Sequence, residues 1–77
     1  MSITVKFFAS LRETLNRDVC SVDPADAHTA ADAWRLATDG SEFPDNTLIA
    51  INMDYANLEH PVSDGDEVAF FPPVTGG

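Results

Sequence analysis

Positive charge is scarce in this sequence: four lysines and arginines stand against thirteen aspartates and glutamates, a formal net charge of −9. A chain so charged repels nucleic acid and anionic lipid and favours encounter with a positively charged surface. Cysteine is scarcer still, for Cys20 stands alone and only two histidines, His28 and His60, accompany it. A disulfide framework is excluded, and structural zinc lacks its paired ligand spacing. The single thiol fits a reducing compartment, so the expected location is the cytoplasm. No apolar run reaches the length of a membrane span, and the opening "MSITVKFFAS" is too short and too alternating for a signal peptide. Glycine-rich phosphate loops are missing as well, since Gly40 and Gly65 are isolated and the other two glycines come last. With 77 residues and no staple, folding falls to one small hydrophobic core, for which a 44% apolar composition suffices.

What is present is pattern. Ile3, Val5 and Phe7 alternate with Thr4, Lys6 and Phe8, the two-residue period of a strand with one face buried, and Phe8 is an aromatic on the polar side. Leu11 and Leu15, four apart in "SLRETLN", predict one or two helical turns with Ser10 as a cap. "RDVCSV" returns to extended character, with Cys20 and Val22 on one side and Val19 on the other. After the turn-rich "DPADAH", Thr29 and Asp32 have the spacing of a capping box, and Ala30, Ala33, Trp34 and Ala37 recur at i, i+3, i+4 and i+7. A helix is expected there, stopped near Gly40, its alanines allowing close approach to a sheet while Trp34 fills the remaining volume. "TLIAIN" is an unbroken apolar run that predicts a central strand buried on both sides. "MDYANLEHPVSDGD" reads as a turn, a short edge segment broken by Pro61, and a turn with Gly65 at positive φ. "EVAFF" is the last strand, Val68 and Phe70 facing the core, Ala69 and Phe71 facing out. The order is α+β, a mixed sheet with one main helix across it. It is also the order of the β-grasp fold, in which the first and last strands lie side by side in mid-sheet. Residues 1–71 form the expected domain and 72–77 a flexible tail.

Interior chemistry finds little support. Ser63, His60 and Asp64 make a triad by inventory only, in a turn with no nucleophile elbow. "DGDE" lacks the other ligand positions and the closing helix of a calcium loop. Both histidines read as surface residues, and no metal site is expected. Strand parity places Cys20 on an apolar face with no adjoining cation or helix start to lower its pKa, which makes it core filler.

The last six residues remain. Extended, 72–77 reach at most roughly 20 Å. Pro72 and Pro73 stiffen the first part and lower the ordering cost of threading into a channel; Val74 and Thr75 add modest width; Gly76 and Gly77 leave the terminal carboxylate unobstructed. Once activated, as in a mixed anhydride with AMP, a glycyl carbonyl is the least hindered electrophile a polypeptide end can offer. A frayed end with accidental glycines is the plain alternative. If the first and last strands are neighbours, Phe8 and Phe71 share an outer apolar patch at the tail's root, which Tyr55 could join. That one ring instead tucks under a loop stays open, because a one-residue slip reverses both assignments.

"DGDEVAFFPPVTGG" resembles the carboxyl-terminal signature of the small, sulfur-carrier subunits of molybdopterin synthase, ubiquitin-like β-grasp proteins, and "KFFASLRE" resembles their first strand and short helix. The resemblance implies that a ubiquitin-activating-like adenylyltransferase adenylates Gly77 with ATP, and that sulfur from a persulfide donor converts it to a thiocarboxylate. It implies further that the tail enters the active site of the large subunit, where the sulfur passes to precursor Z to build the molybdenum-binding dithiolene. The catalytic groups would lie on that large subunit, two small subunits flanking a large-subunit dimer, and this chain would itself bind no cofactor. Phe8, Arg12, Tyr55 and Phe71 match family interface positions, with Pro72, Pro73, Val74, Thr75 and Gly76 in the clamped tail. Cys20 departs from the family and so argues against thiol chemistry. The alternatives are a thiamine-type or tRNA-thiolation sulfur carrier, a modifier that joins Gly77 to lysines of target proteins, and an interaction module with an inert tail.

Overall fold

The computed structural model describes residues 1–73. Five strands and two helices follow one another as β1 (Ile3–Phe7), α1 (Ala9–Leu15), β2 (Val19–Val22), α2 (Ala30–Ala37), β3 (Leu48–Ile51), β4 (Asp54–Ala56) and β5 (Glu67–Phe71). They form one mixed sheet in the order β2-β1-β5-β3-β4, the β-grasp arrangement. β1 and β5 run parallel at its middle, with Val5 opposite Val68 and Phe7 opposite Phe70; the remaining pairs are antiparallel. No helix among the described residues is long and apolar enough to cross a membrane.

Alternation decides which face is covered. Ile3, Val5, Phe7, Val68 and Phe70 are wholly buried beneath α2, which contributes Ala30, Ala33, Trp34 and Ala37 to the same core. The alanines let the helix backbone approach the sheet, and the Trp34 ring occupies the space that opens beside them. It meets Phe70 and Phe43 edge-on at 5.0 Å and Phe7 at 5.8 Å between centroids. Its indole N–H donates to the Ser41 carbonyl at 2.8 Å, so the polar atom that Trp34 carries into the core is satisfied. α2 starts at the predicted capping box: Thr29 Oγ1 accepts from the Asp32 N–H at 3.3 Å, and the Asp32 carboxylate accepts from the N–H groups of Thr29 at 3.2 Å and His28 at 2.9 Å. Such caps stabilise by about 1 kcal/mol.

Three expectations require correction. Ser10 is not a cap, because helical hydrogen bonding begins two residues earlier: Phe8 is the extended N-cap, its carbonyl accepts from the Leu11 N–H at 3.2 Å, and no side chain caps α1. The run Thr47–Asn52 is not buried on both sides. Only β3's Ile49 and Ile51 are buried, whereas Leu48 and Ala50 face the side that α2 does not cover. Pro61 does not interrupt the edge strand, for β4 ends at Ala56 and Pro61 instead bridges to Thr29.

The β3–β4 hairpin is closed by Asn52 and Met53, with φ of 51° and 74°. A residue bearing a Cβ in that left-handed region costs on the order of 1–2 kcal/mol. Gly65, at φ 90°, takes the positive-φ position expected of it, and its N–H donates to the Ser2 carbonyl at 3.0 Å.

Candidate functional site

The sheet face opposite α2 is organised by register. Val19, Lys6, Ala69, Ala50 and Tyr55 line up across β2, β1, β5, β3 and β4. Two of these are alanines side by side, so the middle of the face is low, and larger side chains stand around it. A groove of about 310 Å³ results, floored by Ala50 and Ala69 and walled by Phe8, Phe71, Tyr55 and Met53. Phe8 is 44% exposed, Tyr55 78% and Met53 90%, whereas Phe71 is half-buried, tilted against Tyr55 at 6.1 Å between ring centroids. Burying apolar surface of this kind yields roughly 25 cal/mol per Å², so the groove has a standing preference for an apolar occupant. A larger depression of about 520 Å³ opens between Phe43 and the chain that follows β4. It shares Tyr55 with the groove but has neither Phe8 nor Phe71 in its lining, and we regard the open-face groove as the candidate site.

The groove begins where the folded body ends. Phe8 leaves β1 with its N–H donating to the Phe70 carbonyl at 3.1 Å, and Phe71 is the last residue of β5. Pro72, half-buried, and Pro73, exposed, follow directly. The structure thus brings together Phe8, Tyr55 and Phe71; Pro72 and Pro73 are not among the residues that line the groove. Arg12 is exposed on α1 and does not line the groove. Val74, Thr75, Gly76 and Gly77, the expected clamped and reactive positions, lie outside the described residues.

At the far end of the groove Glu67 faces the cavity and pairs with Lys6 at 3.2 Å, whereas Asp54 stands in register with the buried Ile51 and so belongs to the other side of the sheet. Beside Glu67 the Asn52 amide donates to the Asp66 carboxylate at 3.0 Å, and the Ser63 N–H donates to the same carboxylate at 2.8 Å. These two donors hold Asp66 below the usual carboxylate range. Among the described residues no three histidine, cysteine or acidic side chains gather to hold a metal ion. His60 Nδ1 sits 2.8 Å from the Pro61 carbonyl and Ser63 is engaged through its backbone, so the paper triad is not assembled.

Cys20 is half-buried against the core, as strand parity requires. A cation does adjoin it, contrary to expectation: Arg17 lies close enough to pull the thiol's pKa down. Burial outweighs that pull, and the net shift is upward, keeping the thiol protonated. The same Arg17 guanidinium donates to the Ala37 carbonyl and approaches Asp39 at 3.8 Å, tying the start of β2 to the end of α2.

Sequence reasoning missed Met53, Ala50 and Ala69 as groove residues. The alanines carry no signal of their own until register sets them side by side. Met53 had one: an Asn between an apolar run and a second extended segment marks a two-residue hairpin turn.

Comparison with known proteins places these features in a wider set. The profile of the ThiS family matches residues 5–77. The molybdopterin synthase sulfur carrier subunit of Escherichia coli (strain K12) is 42% identical, over 97% of this chain and 99% of its own length. The crystal structure of small archaeal modifier protein 1 from Haloferax volcanii superposes with a TM-score of 0.78 at 32% identity, each chain covered in full. A complex of subunits 1 and 2 of the molybdopterin-converting factor from Helicobacter pylori contains a chain that superposes at 0.68 with 25% identity, again in full.

Proposed function

The chain belongs to the ThiS family, and from that premise we propose that it is the sulfur-carrier subunit of a molybdopterin synthase, with the carboxylate of Gly77 as the group that carries the sulfur. The observation that carries the reading is the 42% identity to a molybdopterin synthase sulfur carrier subunit over 97% of the chain. The groove at the root of the tail supports it, because a carrier needs a docking surface beside the segment it delivers.

The chemistry divides between this chain and its partners. A carboxylate is a poor electrophile, so an adenylyltransferase first joins Gly77 to AMP, with pyrophosphate leaving from ATP. The terminal sulfur of a persulfide donor then attacks the glycyl carbonyl and displaces AMP, and a second thiol cleaves the resulting acyl disulfide to release the thiocarboxylate. Gly76 and Gly77 present no side chain to the walls of either active site. The large subunit receives the tail along Pro72, Pro73, Val74 and Thr75, and Phe8, Tyr55 and Phe71 form the docked face, with Arg12 beside it on α1. Sulfur then passes to precursor Z. This chain supplies the hook and the handle, and the large subunit supplies the catalytic groups. The protein works in the cytoplasm, where its single thiol stays reduced.

Intact mass of the protein purified from its own cells tests the reading: one oxygen replaced by sulfur is expected at the terminal residue. Deleting Gly77 should abolish molybdopterin formation in a reconstituted synthase while leaving the melting midpoint unchanged; retained activity would overturn the assignment. A second reading, a modifier joined through Gly77 to lysines of other proteins, is favoured by the 0.78 TM-score to small archaeal modifier protein 1. It uses the same activated carbonyl with a lysine amine as nucleophile, and it predicts isopeptide-linked ladders instead of a thiocarboxylate.

A further inference from the structure

Two-residue hairpin turns with positive φ at both central positions favour Asn at the first and Gly at the second. The β3–β4 turn has the Asn but not the Gly, and Met53 stands in the left-handed conformation where glycine is the unstrained choice. Its side chain is 90% exposed, so packing within the chain does not offset the strain. The turn does not need that side chain for its shape. Asn52 pins the hairpin to β5 by itself: its N–H donates to the Glu67 carbonyl at 2.8 Å, its amide NH₂ donates to Asp66 at 3.0 Å, and its side-chain oxygen accepts from the Glu67 N–H at 3.0 Å. What the Met53 side chain does is wall the open-face groove at the end opposite Phe8 and Phe71.

We propose that Met53 is a partner-anchoring residue: carried on a strained turn, its side chain packs against an apolar side chain of the large subunit seated in the groove and sets the strength of that association. The inference rests on the synthase reading above. Continuity identifies the occupant. A subunit that receives the tail must cover the surface from which Pro72 departs, and the groove runs from that point along β5, a length of about 13 Å at the rise of an extended strand. A partner filling it reaches Met53. The lining fixes the partner's chemistry, because apart from Glu67, which is already paired with Lys6, the groove is apolar from Phe71 to Met53 and is complemented by an apolar centre on the partner. An unbranched, polarizable thioether adapts to such a centre without a shape of its own.

The test compares the full-length wild-type protein with Met53→Gly, Met53→Ala and Met53→Leu, measuring the melting midpoint of each alone and its affinity for the purified large subunit by calorimetry. Met53→Gly is expected to melt no lower than wild type yet to bind about tenfold more weakly, and Met53→Ala to bind as weakly. Met53→Leu, which keeps apolar bulk, should bind within about threefold of wild type. Wild-type affinity in Met53→Gly would overturn the proposal and leave the synthase reading standing. So would a loss in Met53→Leu as large as in Met53→Gly, or a lower melting midpoint for Met53→Gly, which would assign Met53 to the fold's own packing. Failure of the wild-type protein to bind the large subunit would instead remove the synthase reading, and this inference with it.

Discussion

Phe70 turns its ring into the stack made with Phe7 and Trp34, while Phe71, one residue on, turns outward against Tyr55. Removing the first ring leaves a cavity in a core of few large side chains, and Phe70→Ala should cost about 3–5 kcal/mol, enough to unfold a domain at the low end of ordinary stability. Phe71→Ala should instead weaken docking to the large subunit by more than it lowers stability. Urea denaturation alongside calorimetry separates the two, and the opposite ranking for Phe71 would mean that its ring serves the core. Two carboxylates contribute to the fold's response to acid. Asp32 is held below the usual range first by the His28 N–H, then by the Thr29 N–H and Arg35; Asp66 is held there by the Asn52 amide and the Ser63 N–H. A carboxyl with a depressed folded pKa stabilises fully above its unfolded value, about 3.9. That contribution is lost as pH falls through the folded value. Stability should therefore be insensitive to these groups near neutrality and decline below about pH 4. An Asp32→Asn, Asp66→Asn double variant should show a shallower acid decline than wild type in denaturant titrations, and equal declines would mean that neither hydrogen-bond set matters.

At the scale of elements, β1, α2 and β5 were legible because each carries its own period: two in "ITVKF" and "EVAFF", and 3.6 with a cap in the segment from Thr29 to Ala37. Parity also placed Cys20 inward and Phe71 outward. What escaped were features that depend on distant partners. The apolar run in β3 looked doubly buried, yet whether a second layer covers Ala50 is a property of the whole sheet and not of four residues. Arg17 reaches the end of α2, twenty positions along the chain, and nothing local announces that contact. Ser10 lost its capping role to a backbone that enters the helix through Ala9 at φ 53°, a conformation no composition rule favours. The candidate site divides the same way. Its aromatic walls were named from the sequence, but its alanine floor and the methionine at its far end emerged only once strand register was known.

For the molecule as a whole, the charge of −9 is the property a partner senses first. Association with the large subunit should therefore be electrostatically steered by a surface on which thirteen acidic residues outnumber four lysines and arginines. Its on-rate should fall steeply between low and physiological ionic strength while the off-rate changes little. Stopped-flow binding at two salt concentrations checks this, and a salt-independent on-rate would leave the acidity without a role in docking. The position of β5 has a different consequence. It alone joins the β1–β2 pair to the β3–β4 pair, so until the final strand arrives the two half-sheets share no ladder and both inner edges stand unsatisfied. Acquisition of the native state thus waits on a long-range, entropically slow closure and not on either local hairpin. Any lesion that delays β5 lengthens the interval in which those bare edges can recruit another chain and aggregate.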